Sequence, residues 1–416
     1  MTDGQTRSWH STGSRLAAGL LLGATVLALA PAAVATPAEV RPAGRTDGAA
    51  LQRALDAFVT QAGASGALAE VRENGRVAWN GTSGVRDLVT KAPVPANGRF
   101  RAGSVTKTFV AEGRVGLDDS IEHHLPGVVP GGGAITVRRL LNHTSGIFDY
   151  TEDPKFEAVT EAQLEQLVAT DRWTTYTPQQ LIAAAVDHPP YFAPGEGWHY
   201  SNTGYLLIGE LIGKVTGRSW RTEVQRRILQ PIGLHHTYLP GTATSIPGPH
   251  SHGYLPLATG PADITELHPS VAGAAGEIIS TTEDLTRFDA ALLGGRLLRP
   301  AQLAEMTTTL PANVYPPTEY GLGLFRLSLP CGDVWGHPGG IHGYLTYVFG
   351  DRSGTRQIAI SGNLYDPVKA AALTPTALTL IGQTFCQGTP DPTPSPAATA
   401  PDNRAAHGAF QAIGLS

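Results

Sequence analysis

The 416-residue chain carries 35 acidic against 30 basic side chains, a formal net charge of −5 at pH 7 with histidine neutral. Such a balance, without a block of five or six basic residues, argues against nucleic acid or an anionic membrane surface as the main partner. The length allows one large core, or two lobes that share one.

The first 35 residues read as a signal peptide. Arg7 and Arg15 give a positive start, Leu16 to Ala30 an apolar stretch, and Ala33-Val34-Ala35 a small-x-small cleavage site near Ala35. The stretch is too short and too interrupted by Gly, Ala and Pro for a comfortable transmembrane helix, and no later segment reaches about 18 apolar residues. No stable membrane span is expected, and the mature chain should be secreted; an uncleaved anchor is the alternative.

From Gly48 to about Ala62, Leu51, Leu55, Phe58 and Val59 share one helical face. Strand-like runs Leu68–Val71 and Val77–Trp79 follow, joined through the hairpin signal Asn74-Gly75. The middle of the chain is helical in pattern. Thr177-Pro178 is an N-cap with proline at the first helical position, leading into Leu181 to Val186. Tyr205 to Val215 is an apolar helix ended by Gly217, and Ser280-Thr281-Thr282-Glu283 reads as a capping box before Leu285 and Phe288. Strands return at Tyr344–Phe349 and Arg356–Ile360 around the turn Asp351-Arg352-Ser353-Gly354, and a helix is expected from about Pro367 to Phe385. The only cysteines, Cys331 and Cys386, read as one disulfide in an exported chain, stabilising by roughly 4 kcal/mol in the chain-entropy model; two buried free thiols are the alternative. Residues 388–416 are Pro/Thr/Ala-rich and read as a disordered tail. Strands at both ends with helices between them predict an α+β fold, an antiparallel sheet flanked by helices and carrying a helical insertion. The α/β part would be about 45–111 and 272–387, the helical part about 112–271.

The chain has only five lysines among its 30 basic residues. One of them, Lys107, stands three residues after Ser104 at the start of a predicted helix, so both side chains share a face. A lysine amine can be tuned neutral, whereas an arginine keeps its proton. Ser-x-x-Lys alone is a weak signal, and a surface pair is the plain alternative. Two further elements strengthen it. Tyr200-Ser201-Asn202 offers a phenol whose pKa a neighbouring lysine would lower, making it a proton relay. His337-Pro338-Gly339-Gly340 precedes a strand, where glycines let a substrate backbone approach and leave an amide free as an oxyanion donor.

Ser-x-x-Lys, Tyr-Ser-Asn and a His-x-Gly element, in that order, resemble the serine penicillin-recognising enzymes of β-lactamase/DD-peptidase-like fold. The resemblance runs from about residue 45 to 387 and includes Phe100-Arg101-Ala102-Gly103, Leu140 to Gly146 and Tyr320 to Leu324. It is nearest to secreted actinobacterial D-alanyl-D-alanine carboxypeptidases, with class C β-lactamases more distant. The carboxypeptidases also pair cysteines at the places of Cys331 and Cys386. The resemblance implies that Ser104 forms an acyl-enzyme, that Lys107 and Tyr200 move protons, and that Asn202 holds the acyl side of the substrate. It further implies that His337 supports the charge on Tyr200, that the amides of Ser104 and Gly340 form the oxyanion hole, with Gly339 beside it, and that Phe156 and Trp198 line the cleft; for Trp198 a core position is the plainer reading. Peptidoglycan stem peptides or other small acyl compounds would be substrates and β-lactams acylating inhibitors; no cofactor and no metal are expected.

Two departures from the family pattern carry their own expectations. After Phe109-Val110-Ala111 the helix lacks about two apolar turns, about 12 Å at 1.5 Å per residue, which should leave a void or force repacking. The arginine that reads a substrate carboxylate in the carboxypeptidases falls on Phe325, with Arg326 on the opposite strand face, and Pro338 and Gly340 replace hydroxyl residues. An esterase, a D-amino-acid amidase or an inactive binding relative is therefore the alternative to a carboxypeptidase-like hydrolase.

Overall fold

The computed structural model describes residues 46–386 apart from 112–115, 313, 315–317 and 365. The signal segment and the 388–416 stretch lie outside the described residues. Helix α1 (Gly48–Thr60) is capped by Asp47, whose carboxylate accepts from the amides of Ala49 and Ala50, and it buries Leu51, Ala54, Leu55 and Phe58. Strands β1 (Ala64–Glu73) and β2 (Arg76–Gly84) turn through Asn74 and Gly75, with φ 49° and 75°. Positive φ at both residues is what a two-residue hairpin of matching twist requires.

Strand β3 (Phe100–Arg101) leads through a 3₁₀ turn, Gly103–Val105, into α2 (Thr106–Val110). A mostly helical stretch follows: α3 (Ile121–His124), α4 (Val137–Leu141), α5 (Glu161–Ala169), α6 (Pro178–Val186), α7 (Asn202–Thr216), α8 (Trp220–Val224) and α9 (Gln230–Ile232). The hairpin β4 (Tyr254–Leu257) and β5 (Gly260–Asp263), then α10 (Gly273–Gly276), bring the chain back to β6 (Ile279–Ser280), α11 (Thr282–Leu293) and α12 (Pro300–Thr307). Strands β7 (Leu310–Ala312), β8 (Thr318–Tyr320), β9 (Phe325–Leu329), β10 (Gly332–Ile341), β11 (Tyr344–Asp351) and β12 (Arg356–Leu364) precede α13 (Leu373–Phe385).

Eight strands form one sheet in the order β2-β1-β12-β11-β10-β9-β8-β7, every neighbour antiparallel. Side chains alternate across β1. Ala67, Ala69 and Val71 face α1 and α13 in a core with Phe58, Ile358, Ile360 and Leu380. Leu68 belongs to the opposite core, with Val348, Leu285 and Phe288 of α11, and Glu70 and Arg72 reach Thr286 of that helix. Each Leu or Phe buried this way stabilises by roughly 1.5–3 kcal/mol. The antiparallel sheet with flanking helices is the architecture expected from the sequence.

The differences are local. The cap of α11 is Thr281, whose hydroxyl accepts from the Asp284 amide at 3.2 Å, because Ser280 is held one residue earlier as the ladder partner of Phe100. The expected helix from Pro367 begins as a 3₁₀ turn, Pro367–Ala372, before α13. Helix α7 starts at Asn202, three residues before the expected Tyr205, and ends at Gly217 with φ 68°. Cys331 and Cys386 are bonded, tying the β9–β10 turn to the end of α13. Among the described residues no helix is long and apolar enough to cross a membrane.

The abbreviated helix after Ser104 is visible as α2, whose five residues are all buried. Phe109 stacks on Phe288 of α11 with ring centroids 3.6 Å apart and planes at 10°. The Thr108 hydroxyl donates to the Gly323 carbonyl at 2.7 Å. These contacts hold what remains of the helix in place.

Candidate active site

Ser104 lies in the 3₁₀ turn between β3 and α2, 8 % exposed. Gly103 before it has φ 53°, and a Cβ there would stand 2.7–2.8 Å from the backbone of Gly340. A Cβ on Gly339 would stand 2.0 Å from the Ala102 carbonyl oxygen. Two glycine backbones thus let the serine turn rest directly on β10.

Lys107, one turn further, is 0 % exposed. Its Nζ lies 3.0 Å from Ser104 Oγ, 2.7 Å from Asn202 Oδ1 and 2.8 Å from the Ala275 carbonyl oxygen. Burial brings its pKa down to about 7, against an upward pull from Asp149. A neutral amine has two N–H donors and one lone pair. The two carbonyl oxygens take the donors, so the lone pair faces the Ser104 hydroxyl. That is the arrangement of a general base beside its nucleophile.

The Tyr200 side chain stands beside Ser104, and its ring centroid is 4.8 Å from Lys107 Nζ. Burial pushes its phenol well above the ordinary range, opposite to the lowering expected from the sequence. Desolvation outweighs the downward pull of the Ser104 hydroxyl, and Tyr205, Asp149 and Tyr150 push in the same direction as burial. Asn202, the first residue of α7, has its oxygen on Lys107 and its amino group on Asp149 Oδ2 at 2.8 Å. Asn202 also lines the cleft onto which Ser104 opens. His337 does not support Tyr200 directly. Its Nε2 is 3.1 Å from the Tyr320 hydroxyl, its ring centroid is 6.4 Å from that of Tyr200, and burial and Lys107 bring its pKa down to about 3.

Sequence reasoning missed three residues here. Asp149 is 0 % exposed and holds Asn202. His143, with φ 64°, accepts from the Ser201 amide through Nδ1 at 3.1 Å and from the His199 amide through its carbonyl at 3.0 Å, gripping both sides of Tyr200. Its ring lies 4.3 Å from the tyrosine's. Tyr320 partners His337. Asp149 left a local signal, an Asp two residues before Thr151 whose side chain accepts that amide at 3.1 Å, whereas His143 and Tyr320 fall in stretches that carry the family resemblance with no role of their own assigned.

Ser104, Asn202 and Gly340 open onto a cleft of about 730 Å³, a volume that includes space open to solvent. Residues 51–383 match the Beta-lactamase family profile. The chain belongs to the beta-lactamase family. It is 43 % identical to a D-stereospecific amidohydrolase from Streptomyces sp., with a TM-score of 0.72 over 83 % of this chain and 100 % of that one. It is 27 % identical to the D-amino acid amidase of Ochrobactrum anthropi SV3 complexed with L-phenylalanine amide, with a TM-score of 0.69 over 80 % and 98 %. Penicillin-binding protein 4* of Bacillus subtilis (strain 168) is 28 % identical over 301 residues, 66 % of this chain and 62 % of that protein. The chain thus spans under two thirds of the length of that relative.

In this beta-lactamase family member Phe325 and Arg326 alternate across β9, the first buried and the second half-buried. Phe325 is buried against Tyr320 and His337, with ring centroids 4.5 and 5.1 Å away. Arg326 turns to Glu319 and Asp333 at 3.1 and 3.6 Å. The cleft is walled by Tyr150, Phe156, Val159, Val271 and Ile341. Among the described residues lining it, the carboxylate of Glu157 is the one formal charge, since burial brings the His342 pKa down to about 4. Phe156 lines the cleft, whereas Trp198 is packed in the core beside Tyr200 and Tyr320.

Proposed function

We propose that this protein is a serine amidohydrolase that cleaves amides or short peptides of D-amino acids bearing a free amino group, through an acyl-enzyme on Ser104. The observation that carries the reading is the buried, near-neutral Lys107 amine 3.0 Å from Ser104 Oγ. The Ser104 proton passes to Lys107 as Oγ bonds to the substrate carbonyl carbon. The resulting oxyanion takes the amides of Ser104 and Gly340, a contact worth about 3–4 kcal/mol per donor in comparable sites. Lys107 and Tyr200 return the proton to the leaving amine, and water then hydrolyses the ester.

The choice of substrate rests on charge. A cleft whose one formal charge among the described lining residues is the Glu157 carboxylate suits an ammonium and repels the terminal carboxylate of a D-alanyl-D-alanine peptide. The likeness to a D-stereospecific amidohydrolase and a D-amino acid amidase supports the same choice. The leader-like N-terminus and the Cys331–Cys386 bond support work outside the cytoplasm. Hydrolysis of D- and L-phenylalanine amide, with labelled penicillin as a second probe, tests the reading. Turnover of the D-amide is expected and should vanish in Ser104→Ala. Cleavage of D-alanyl-D-alanine peptides in preference to amides, together with rapid penicillin labelling, would favour the carboxypeptidase instead.

A further inference from the structure

Behind the reacting pair lies a carboxylate with no part in the steps above. Asp149 caps the 3₁₀ turn Tyr150–Glu152. Its Oδ1 accepts from the Thr151 amide at 3.1 Å and its Oδ2 from Asn202 Nδ2 at 2.8 Å. Both oxygens act as acceptors; burial pushes the carboxyl's pKa up, the Thr151 and Asn202 hydrogen bonds and the Lys107 amine pull it down, and in its ionised form it can only accept. The Asn202 amide stands between this carboxylate and Lys107, with Nδ2 toward one and Oδ1 toward the other. The two ends of an amide have nearly the same shape, so its orientation is set by what each end faces. An acceptor-only partner behind it leaves a single choice. If the amide were turned, Nδ2 would face Lys107 and draw the amine's lone pair away from Ser104.

We infer that Asp149 is a positioning residue of the reaction: through Asn202 it aims an amide oxygen at Lys107, which leaves the amine's lone pair on the Ser104 hydroxyl, and it is the negative charge facing that amine. The inference rests on the reading of Ser104 and Lys107 as nucleophile and base.

The surroundings leave the two charges facing each other. Lys107 is otherwise faced by Ser104, by the rings of Tyr200 and Tyr205 at 4.8 and 5.4 Å, and by His143 and His337, both held neutral by burial. Asp149 is otherwise faced by Tyr150, Tyr191 and Glu152, and its own amide donates to the Tyr191 hydroxyl at 3.0 Å. Asp149 raises the Lys107 pKa, so loss of its charge extends the neutral amine to lower pH.

Two variants test this on the full chain, by kcat/KM against pH with D-phenylalanine amide. Asp149→Asn offers one acceptor for two donors. Its kcat is expected to fall tenfold or more, and its acid limb to move down by about 1 pH unit. The exchange Asp149→Asn with Asn202→Asp keeps one acid and one amide hydrogen-bonded in the same space, but sets the carboxylate against Lys107. Its acid limb is expected to move up. A merely structural pair would move neither limb, so unshifted limbs in proteins that melt cooperatively overturn the inference; if Asp149→Asn does not fold, the exchange variant decides. Loss of wild-type turnover in Ser104→Ala is read separately, and its absence would sink the assignment of the nucleophile rather than that of Asp149.

Discussion

Lys107 is the residue on which the chemistry turns. In the proposed mechanism its neutral form is the base, and with a pKa near 7 the acid limb of kcat/KM should bend near pH 7. Lys107→Arg keeps length and hydrogen bonding but cannot give up its proton; activity is expected to fall by at least a thousandfold, as in Lys107→Ala, and near-normal turnover would refute the role. The serine and lysine were legible because i, i+3 spacing places them on one helix face whatever follows. Asp149 and His143 were not, since each acts through partners 53 to 58 residues away in sequence. The direction of the Tyr200 shift was not legible either, because burial, which decides it, is a property of packing.

Among elements, β10 and the serine turn form the joint that would set the geometry of the proposed oxyanion hole. Gly103→Ala would need φ near 53° with a Cβ 2.7 Å from Gly340. Acylation by an activated ester should slow at least tenfold while circular dichroism stays native. Helix α11 offers a separate test of burial. Asp289 is wholly buried with one oxygen, Oδ2, unpartnered, and desolvation holds its carboxyl well above the usual range. A raised acid pKa contributes stability that is full below the unfolded value and lost as pH rises through the folded one. Asp289→Asn should therefore melt a few degrees higher than wild type at pH 8 and no higher near pH 3. The hairpin at Asn74-Gly75, the start of α1 and the C-terminal end of α7 at Gly217 were readable from turn chemistry and period. The cap at Thr281 was displaced because Ser280 answers to a strand partner, β3, that two residues of sequence could not announce.

At the scale of the whole molecule, the N-terminal strands β1 and β2 and the C-terminal strands β7–β12 make one sheet, and the Cys331–Cys386 bond fastens its last helix. Reduction removes a constraint worth roughly 4 kcal/mol, so melting should fall by about 5 °C; an unchanged transition would deny the bond a stabilising part. The alternation of strands and helices made this architecture readable early. The substrate was not readable from the motifs, because it depends on which charges face the cleft. The most direct test of the central claim is intact-protein mass spectrometry after a fluorophosphonate, across pH 5 to 9. One adduct is expected, located on Ser104, absent from Ser104→Ala, and forming at a rate that rises with a midpoint near pH 7. A folded protein that takes no adduct, or a Ser104→Ala variant that still takes one, would contradict it.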